Sequence, residues 1–86
     1  MKTIFHKQFA KQYAKLPQAQ KKRFEKAILL FRNEPSHPDL SNHPLTGEWK
    51  GHRSIAFGSD WRAHYLPQDA DTARFVAVGT HSQLYK

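Results

Sequence analysis

The sequence predicts an α+β domain of order β-α-α-β-β-β, an N-terminal helical hairpin packed on a small antiparallel sheet. Three observations carry this. Up to residue 34 the apolar side chains recur every three or four positions, the period of a helix. From Trp49 onward they recur at alternate positions, the period of a strand. Helices and strands are also segregated along the chain, the order of a fold with its helices on one face of an antiparallel sheet.

Met1–Phe5 is a short apolar-leaning entry, read as a strand. Phe5, Phe9, Tyr13 and Leu16 form one stripe of a first helix, with Lys and Gln on its other face. Pro17 stops that helix, because a residue before proline avoids the α region, and it can open the next one. Phe24, Ala27, Ile28 and Phe31 form the second stripe, ended by Pro35. Ser36–Thr46, with Pro38, Pro44, Asp39 and Asn42, reads as a loop. Residues 49–57 read as a strand, with Trp49, Ile55 and Phe57 on one face. Gly58-Ser59 is a turn. Trp61–Leu66 is the next strand, Pro67–Asp71 a hairpin loop, Ala73–Val78 the last strand, and Thr80–Lys86 a tail.

With 86 residues the chain reads as a single domain over 1–86. A domain of this size buries only about 60–65% of its unfolded surface, so a partner that covers apolar surface matters to it. It has no cysteine, which excludes disulfides and thiolate metal sites. No apolar run reaches the ~18–20 residues of a membrane span, and the N-terminus lacks a signal-peptide core, so the expected location is the cytoplasm. The formal charge is +7, unevenly spread. Residues 1–34 hold nine Lys/Arg against Glu25 and Glu34, whereas residues 35–86 hold five against five acids. Such a basic third attracts polyanions, nucleic acid foremost.

Six histidines are present: His6, His37, His43, His52, His64 and His81. An imidazole gives and takes protons near neutral pH. His43 precedes the sheet and His81 follows its last strand, both where loops meet a rigid scaffold. Asp60-Trp61 opens the middle strand, so a carboxylate and two imidazoles can converge. RNA phosphodiester cleavage needs that set: a base for the 2′-hydroxyl, an acid for the departing 5′-oxygen and a cation on the phosphate. Arg53, with its planar fork, and Lys50 are the candidate phosphate-binding residues. Trp61 and Tyr85 are candidates for stacking on bases. No His-Glu-x-x-His, Gly-rich phosphate loop or Gly-x-Ser-x-Gly is present, and neither a metal nor another cofactor is expected.

His-Pro-Leu-Thr-Gly-Glu-Trp-Lys-Gly-His-Arg (43–53), Ser-Asp-Trp (59–61) ahead of Tyr65, and Arg-Phe (74–75) leading to Gly-Thr-His-Ser-Gln-Leu-Tyr (79–85) together resemble the RelE/ParE superfamily of bacterial toxins, closest to its YafQ branch. The resemblance covers nearly the whole chain. It implies a metal-independent, ribosome-dependent mRNA endoribonuclease toxin of a type II toxin–antitoxin system, held in check by a cognate antitoxin. It implies His43 as a proton-transfer residue, Asp60 as its assistant and His81 as the general acid. Arg53 would lie near the scissile phosphate, Tyr85 would close the site, and the basic helices would grip ribosomal RNA. Relatives carry a histidine four residues before the Asp-Trp pair, where this chain has Ala56. His64, on the adjacent strand, is the nearer replacement. Slower catalysis, reliance on His43 and His81, or lost activity are all compatible with this gap. ParE-like relatives that act on DNA gyrase without cutting RNA are the alternative.

Overall fold

The computed structural model describes residues 1–85. Strand β1 (Lys2–Phe5) leads into helices α1 (Lys7–Ala14) and α2 (Gln18–Asn33). Strands β2 (His43–Pro44), β3 (Arg53–Ala56), β4 (Trp61–Asp69) and β5 (Thr72–Thr80) follow, and a short helix α3 (His81–Leu84) ends the described chain. The five strands form one sheet in the order β1-β5-β4-β3-β2. The α+β class and helices-then-strands order match the sequence expectation. The sheet differs in one respect: β1 pairs parallel with β5, so it is mixed and not wholly antiparallel. The whole helical hairpin serves as the crossover that a parallel pair requires.

Helix starts account for two histidines. The Gln8 backbone N–H donates to Nδ1 of His6, capping α1 (3.0 Å). The Asp39 N–H donates in the same way to Nδ1 of His37 (3.1 Å), at a 3₁₀ turn over Pro38–Leu40. Helix α1 ends before Pro17, which has φ −57° and precedes the first residue of α2.

Several boundaries move from their sequence-predicted places. The strand expected over 49–57 is confined to Arg53–Ala56. Trp49 instead closes a 3₁₀ turn over Gly47–Trp49, flanked by Gly47 (φ 65°) and Gly51 (φ 92°), left-handed positions that turn the backbone away from a strand. His43-Pro44, expected in a loop, is an edge strand; at an edge the missing proline N–H breaks no ladder bond. β4 runs through Pro67 to Asp69, so the hairpin turn shrinks to Ala70-Asp71, with the Asp71 N–H donating to Oδ1 of Asp69 (2.8 Å). β5 continues past Gly79, and the expected tail contains α3, whose Thr80 and Gln83 form a reciprocal capping box.

The core lies between the helices and one sheet face. Phe9, Phe24, Phe31, Ile55, Ala63, Tyr65, Phe75 and Val78 are all buried there. Phe75 lies at its centre, with ring centroids 5.2–6.1 Å from Phe5, Phe9, Phe24, Phe31 and Tyr65. The contacts with Phe9, Phe24 and Phe31 are edge-to-face, and such aromatic pairs add about 0.5–1.5 kcal/mol each beyond area burial. Among the described residues no helix is long and apolar enough to cross a membrane. Because so much of the core converges on one ring, Phe75→Ala should destabilise the fold by about 3–5 kcal/mol, whereas the exposed Leu29→Ala should shift stability by less than about 0.5 kcal/mol. Urea unfolding of the two variants checks the contrast.

Candidate active site

The sheet face turned away from the helices carries the chemistry. Cross-strand partners share a face, and the pairing His43↔Ser54 and Ser54↔His64 lays one row across β2, β3 and β4. A parallel row, Ala56↔Arg62 and Arg62↔Gly79, runs beside it. Helix α3 lands over this face. The His81 N–H donates to the Asp60 carbonyl (2.9 Å), and the Trp49 indole N–H donates to the Leu84 carbonyl (3.2 Å). The His81 and Tyr85 rings stack at 4.4 Å, Tyr85 lies 5.3 Å from His64, and Trp49 stands edge-on to His64 at 4.5 Å.

His64 is the seat of this arrangement, with 0% of its surface exposed. Burial, then the positive charge carried on protonation by His52, His43 and His81 and permanently by Arg62, pushes its pKa down from 6.5 to about 4. At neutral pH it is an uncharged ring. Both its nitrogens, Ser54 Oγ and His52 Nδ1 are buried without a hydrogen-bonding side-chain or backbone partner. Leaving such an atom unpaired costs about 1–3 kcal/mol, so a leucine here would fold more stably.

His43 and His81 are exposed at the rim. His43 Nδ1 lies 2.8 Å from the Ser41 carbonyl; donation by Nδ1–H leaves Nε2 as the free acceptor, the tautomer of a general base. Asp60 is also exposed and joins the group through its backbone contact with His81; among the described residues its carboxylate has no hydrogen bond or ion pair. Tyr85 forms the wall beside His81, its hydroxyl pKa raised by burial and partly offset by Arg62. Lys50 is exposed on the turn next to Trp49.

Two sequence-nominated residues face the helices instead. Arg53 pairs with the core residue Tyr65, and its Nε–H donates to Asn42 Oδ1 (2.9 Å), while the Asn42 amide donates to the Tyr65 hydroxyl (2.8 Å). Trp61 packs toward the core beside Phe57, ring centroids 6.2 Å apart. The cation on the histidine face is Arg62, which sequence reasoning missed. Its Nη1 donates to the Gly58 and Trp61 carbonyls (3.3 and 2.9 Å), holding the guanidinium at the turn before β4, and its cross-strand neighbours Ala56 and Gly79 have almost no side chain. Alternation within β4 was the available signal, since Trp61, Ala63 and Tyr65 facing inward put Arg62 and His64 outward. His64 is too deep to replace the histidine missing at Ala56 as a group that touches substrate. Among the described residues, no three His, Cys, Asp or Glu side chains are grouped so as to hold a metal.

The profile of the family described as "Bacterial toxin of type II toxin-antitoxin system, YafQ" matches residues 1–86. The chain belongs to the YafQ family. The mRNA interferase toxin YafQ of Escherichia coli K12 is 34% identical over 58 residues, 67% of this chain and 62% of that protein's own length. The crystal structure of YafQ from E. coli BL21(DE3) superposes with a TM-score of 0.80 at 27% identity, covering 98% of this chain and 97% of that one. The E. coli DinJ–YafQ toxin–antitoxin complex matches with a TM-score of 0.77 at 27% identity, covering 98% and 96%. The YafQ resemblance in the sequence is thus borne out.

The buried His64 makes a pH prediction. Its folded pKa lies below its unfolded value, so the unfolded chain binds the proton more readily and stability falls as pH drops from about 6.5 toward 4. This one group should remove about 3 kcal/mol across that window. His64→Leu should be more stable than the parent at pH 4.5 by a larger margin than at pH 7, measured by urea midpoints at both. An equal difference at the two pH values would contradict the burial argument.

Proposed function

We propose that this YafQ-family chain is a metal-independent endoribonuclease toxin that cleaves mRNA on the ribosome, acts in the cytoplasm and is neutralised by a cognate antitoxin. The observation that carries the reading is the pair of exposed imidazoles, His43 and His81, on one sheet face around a neutral seat, with a guanidinium on the same face. His43 Nε2 takes the 2′-hydroxyl proton and the 2′-oxygen attacks phosphorus. His81 hands a proton to the departing 5′-oxygen, leaving a 2′,3′-cyclic phosphate and a 5′-hydroxyl. Asp60 stabilises the imidazolium that forms. Arg62, with Lys50 at the rim, balances charge on the phosphoryl oxygens. It takes the role first assigned to Arg53, whose guanidinium is committed to Asn42 on the other face. Tyr85 offers a surface on which a base can stack.

The activity named for the E. coli relative and its complex with DinJ support the toxin and antitoxin parts of this reading. The lysine-rich helices support an electrostatic grip on ribosomal RNA, with Lys21, Lys22 and Lys26 in the second helix as its first contacts.

His43→Gln and His81→Gln should each slow single-turnover cleavage of ribosome-bound mRNA by about 10²–10⁴-fold, with the circular dichroism spectrum unchanged. Arg62→Ala should slow it by about 10²-fold or more, and Arg53→Ala by much less once loss of stability is corrected for. With free Mg2+ held constant to keep the ribosome intact, transition-metal chelators should leave the parent rate unchanged. Both histidine variants cutting at the parent rate would refute the assignment; DNA damage without new mRNA ends would point to gyrase instead.

A further inference from the structure

At the free edge of β3 a cleft of about 530 Å³ runs from helix α2 round to the histidine face. Strand β2 covers β3 only at Arg53 and Ser54, which leaves the far end of β3 open. The floor of the cleft is apolar, formed by Ala27, Leu40 and Phe57, all buried. Its rim is charged, with Lys26 on α2, Asp39 on the 3₁₀ turn and Arg62 on β4. Two lining residues also belong to the site described above: Arg62 is its cation, and the Ser41 carbonyl holds Nδ1 of His43 (2.8 Å). The cleft therefore adjoins the position proposed for the scissile phosphate.

The chemistry of rim and floor narrows the occupant. Asp39 is fixed by its backbone, whose N–H donates to Nδ1 of His37, and Ser41 ends the turn in the left-handed region (φ 47°). The His37 nitrogen 3.9 Å from the carboxylate is the one that accepts this bond, so it has no proton to offer. Among the described residues the Asp39 carboxylate has no hydrogen bond. Arg62 commits only Nη1 to the Gly58 and Trp61 carbonyls, leaving Nε–H and Nη2 to an anion. A free phosphate needs neither the apolar floor nor the carboxylate, and a wholly apolar ligand would leave three charges facing it. A nucleotide matches all three features: a phosphate for the cations, a flat face for the floor and N–H donors along the edge of its base for the carboxylate.

Resting on the nuclease reading above, we propose that this cleft seats the nucleotide beside the scissile phosphate and selects guanine. Among the four bases only guanine presents two parallel donors, N1–H and its amino group, to the two oxygens of Asp39. Adenine and cytosine offer one amino donor beside a ring acceptor. Uracil offers a single N–H between two carbonyl oxygens, which a carboxylate repels. Lys26 and Arg62 hold the phosphates, and Ala27, Leu40 and Phe57 support the ring. Asp39 then sets which messages are cut without taking part in the proton transfers.

The test is an amide NMR titration of the purified protein with guanosine, adenosine, cytidine and uridine 5′-monophosphates and with ribose 5-phosphate, repeated on Asp39→Asn. Asp39 is exposed, so the asparagine is tolerated by the fold. The guanine nucleotide should shift the amides of Leu40, Ser41, Gly58 and Ser59, and should bind about 5-fold or more tightly than the uridine nucleotide or ribose 5-phosphate. Asp39→Asn should remove that preference without weakening ribose 5-phosphate. Ribosome-bound messages that differ only in the base beside the cut give a second readout, in which the parent favours guanine and Asp39→Asn does not. No shifts at the cleft would overturn the proposal. So would equal affinity for the guanine and uridine nucleotides, equal affinity for ribose 5-phosphate, which makes the cleft an anion site only, or guanine selectivity that survives in Asp39→Asn. A parent that cuts no message would overturn the nuclease reading beneath it, and the titration, which needs no catalysis, tells the two failures apart.

Discussion

The last turn of the described chain rests on a ring that has no water contact. His64 sits fully buried in β4, with Trp49 folded over one side and Tyr85 over another, and Tyr85 in turn carries His81. Remove that seat and the short helix α3 loses the ring beneath Tyr85, keeping its capping box and the bonds to Asp60 and Trp49. Because the ring is uncharged at neutral pH, it adds no positive charge beside Arg62 on the face that also holds His43 and His81. The same burial leaves both ring nitrogens without a side-chain or backbone partner.

The two faces of the sheet divide the work. Inward residues of β3, β4 and β5 join Phe9, Phe24 and Phe31 in an aromatic core centred on Phe75. Outward residues of the same strands hold Ser54, Arg62 and His64. A one-residue slip would exchange the two sets, so core packing is also what fixes the chemistry. Arg62 shows the same division: it points outward while its strand neighbours Trp61 and Ala63 pack inward, and its cross-strand partners Ala56 and Gly79 have almost no side chain.

Much of this was legible in the residues. Helical stripes at three and four gave both helices, and the last strand was placed at Ala73–Val78, two residues short of its end at Thr80. Of the nominated residues, His81 bonds the Asp60 carbonyl and lies against Tyr85, while His43 shares a cross-strand row with His64. Arg53 and Trp61 were nominated too, but face the helices. Alternation already implied this: Arg53 shares parity with the buried Ile55, and Trp61 with the buried Ala63 and Tyr65. The parallel pairing of β1 with β5 was not readable, because it joins segments about 70 residues apart and leaves no local pattern.

The pH dependence of single-turnover RNA cleavage tests the central claim most directly. One imidazole acting as base and a second as acid predicts a bell-shaped profile with two ionisations, with His43→Gln flattening the acidic limb and His81→Gln the alkaline limb. A profile whose two limbs survive unchanged in both variants would show that neither ring transfers the proton.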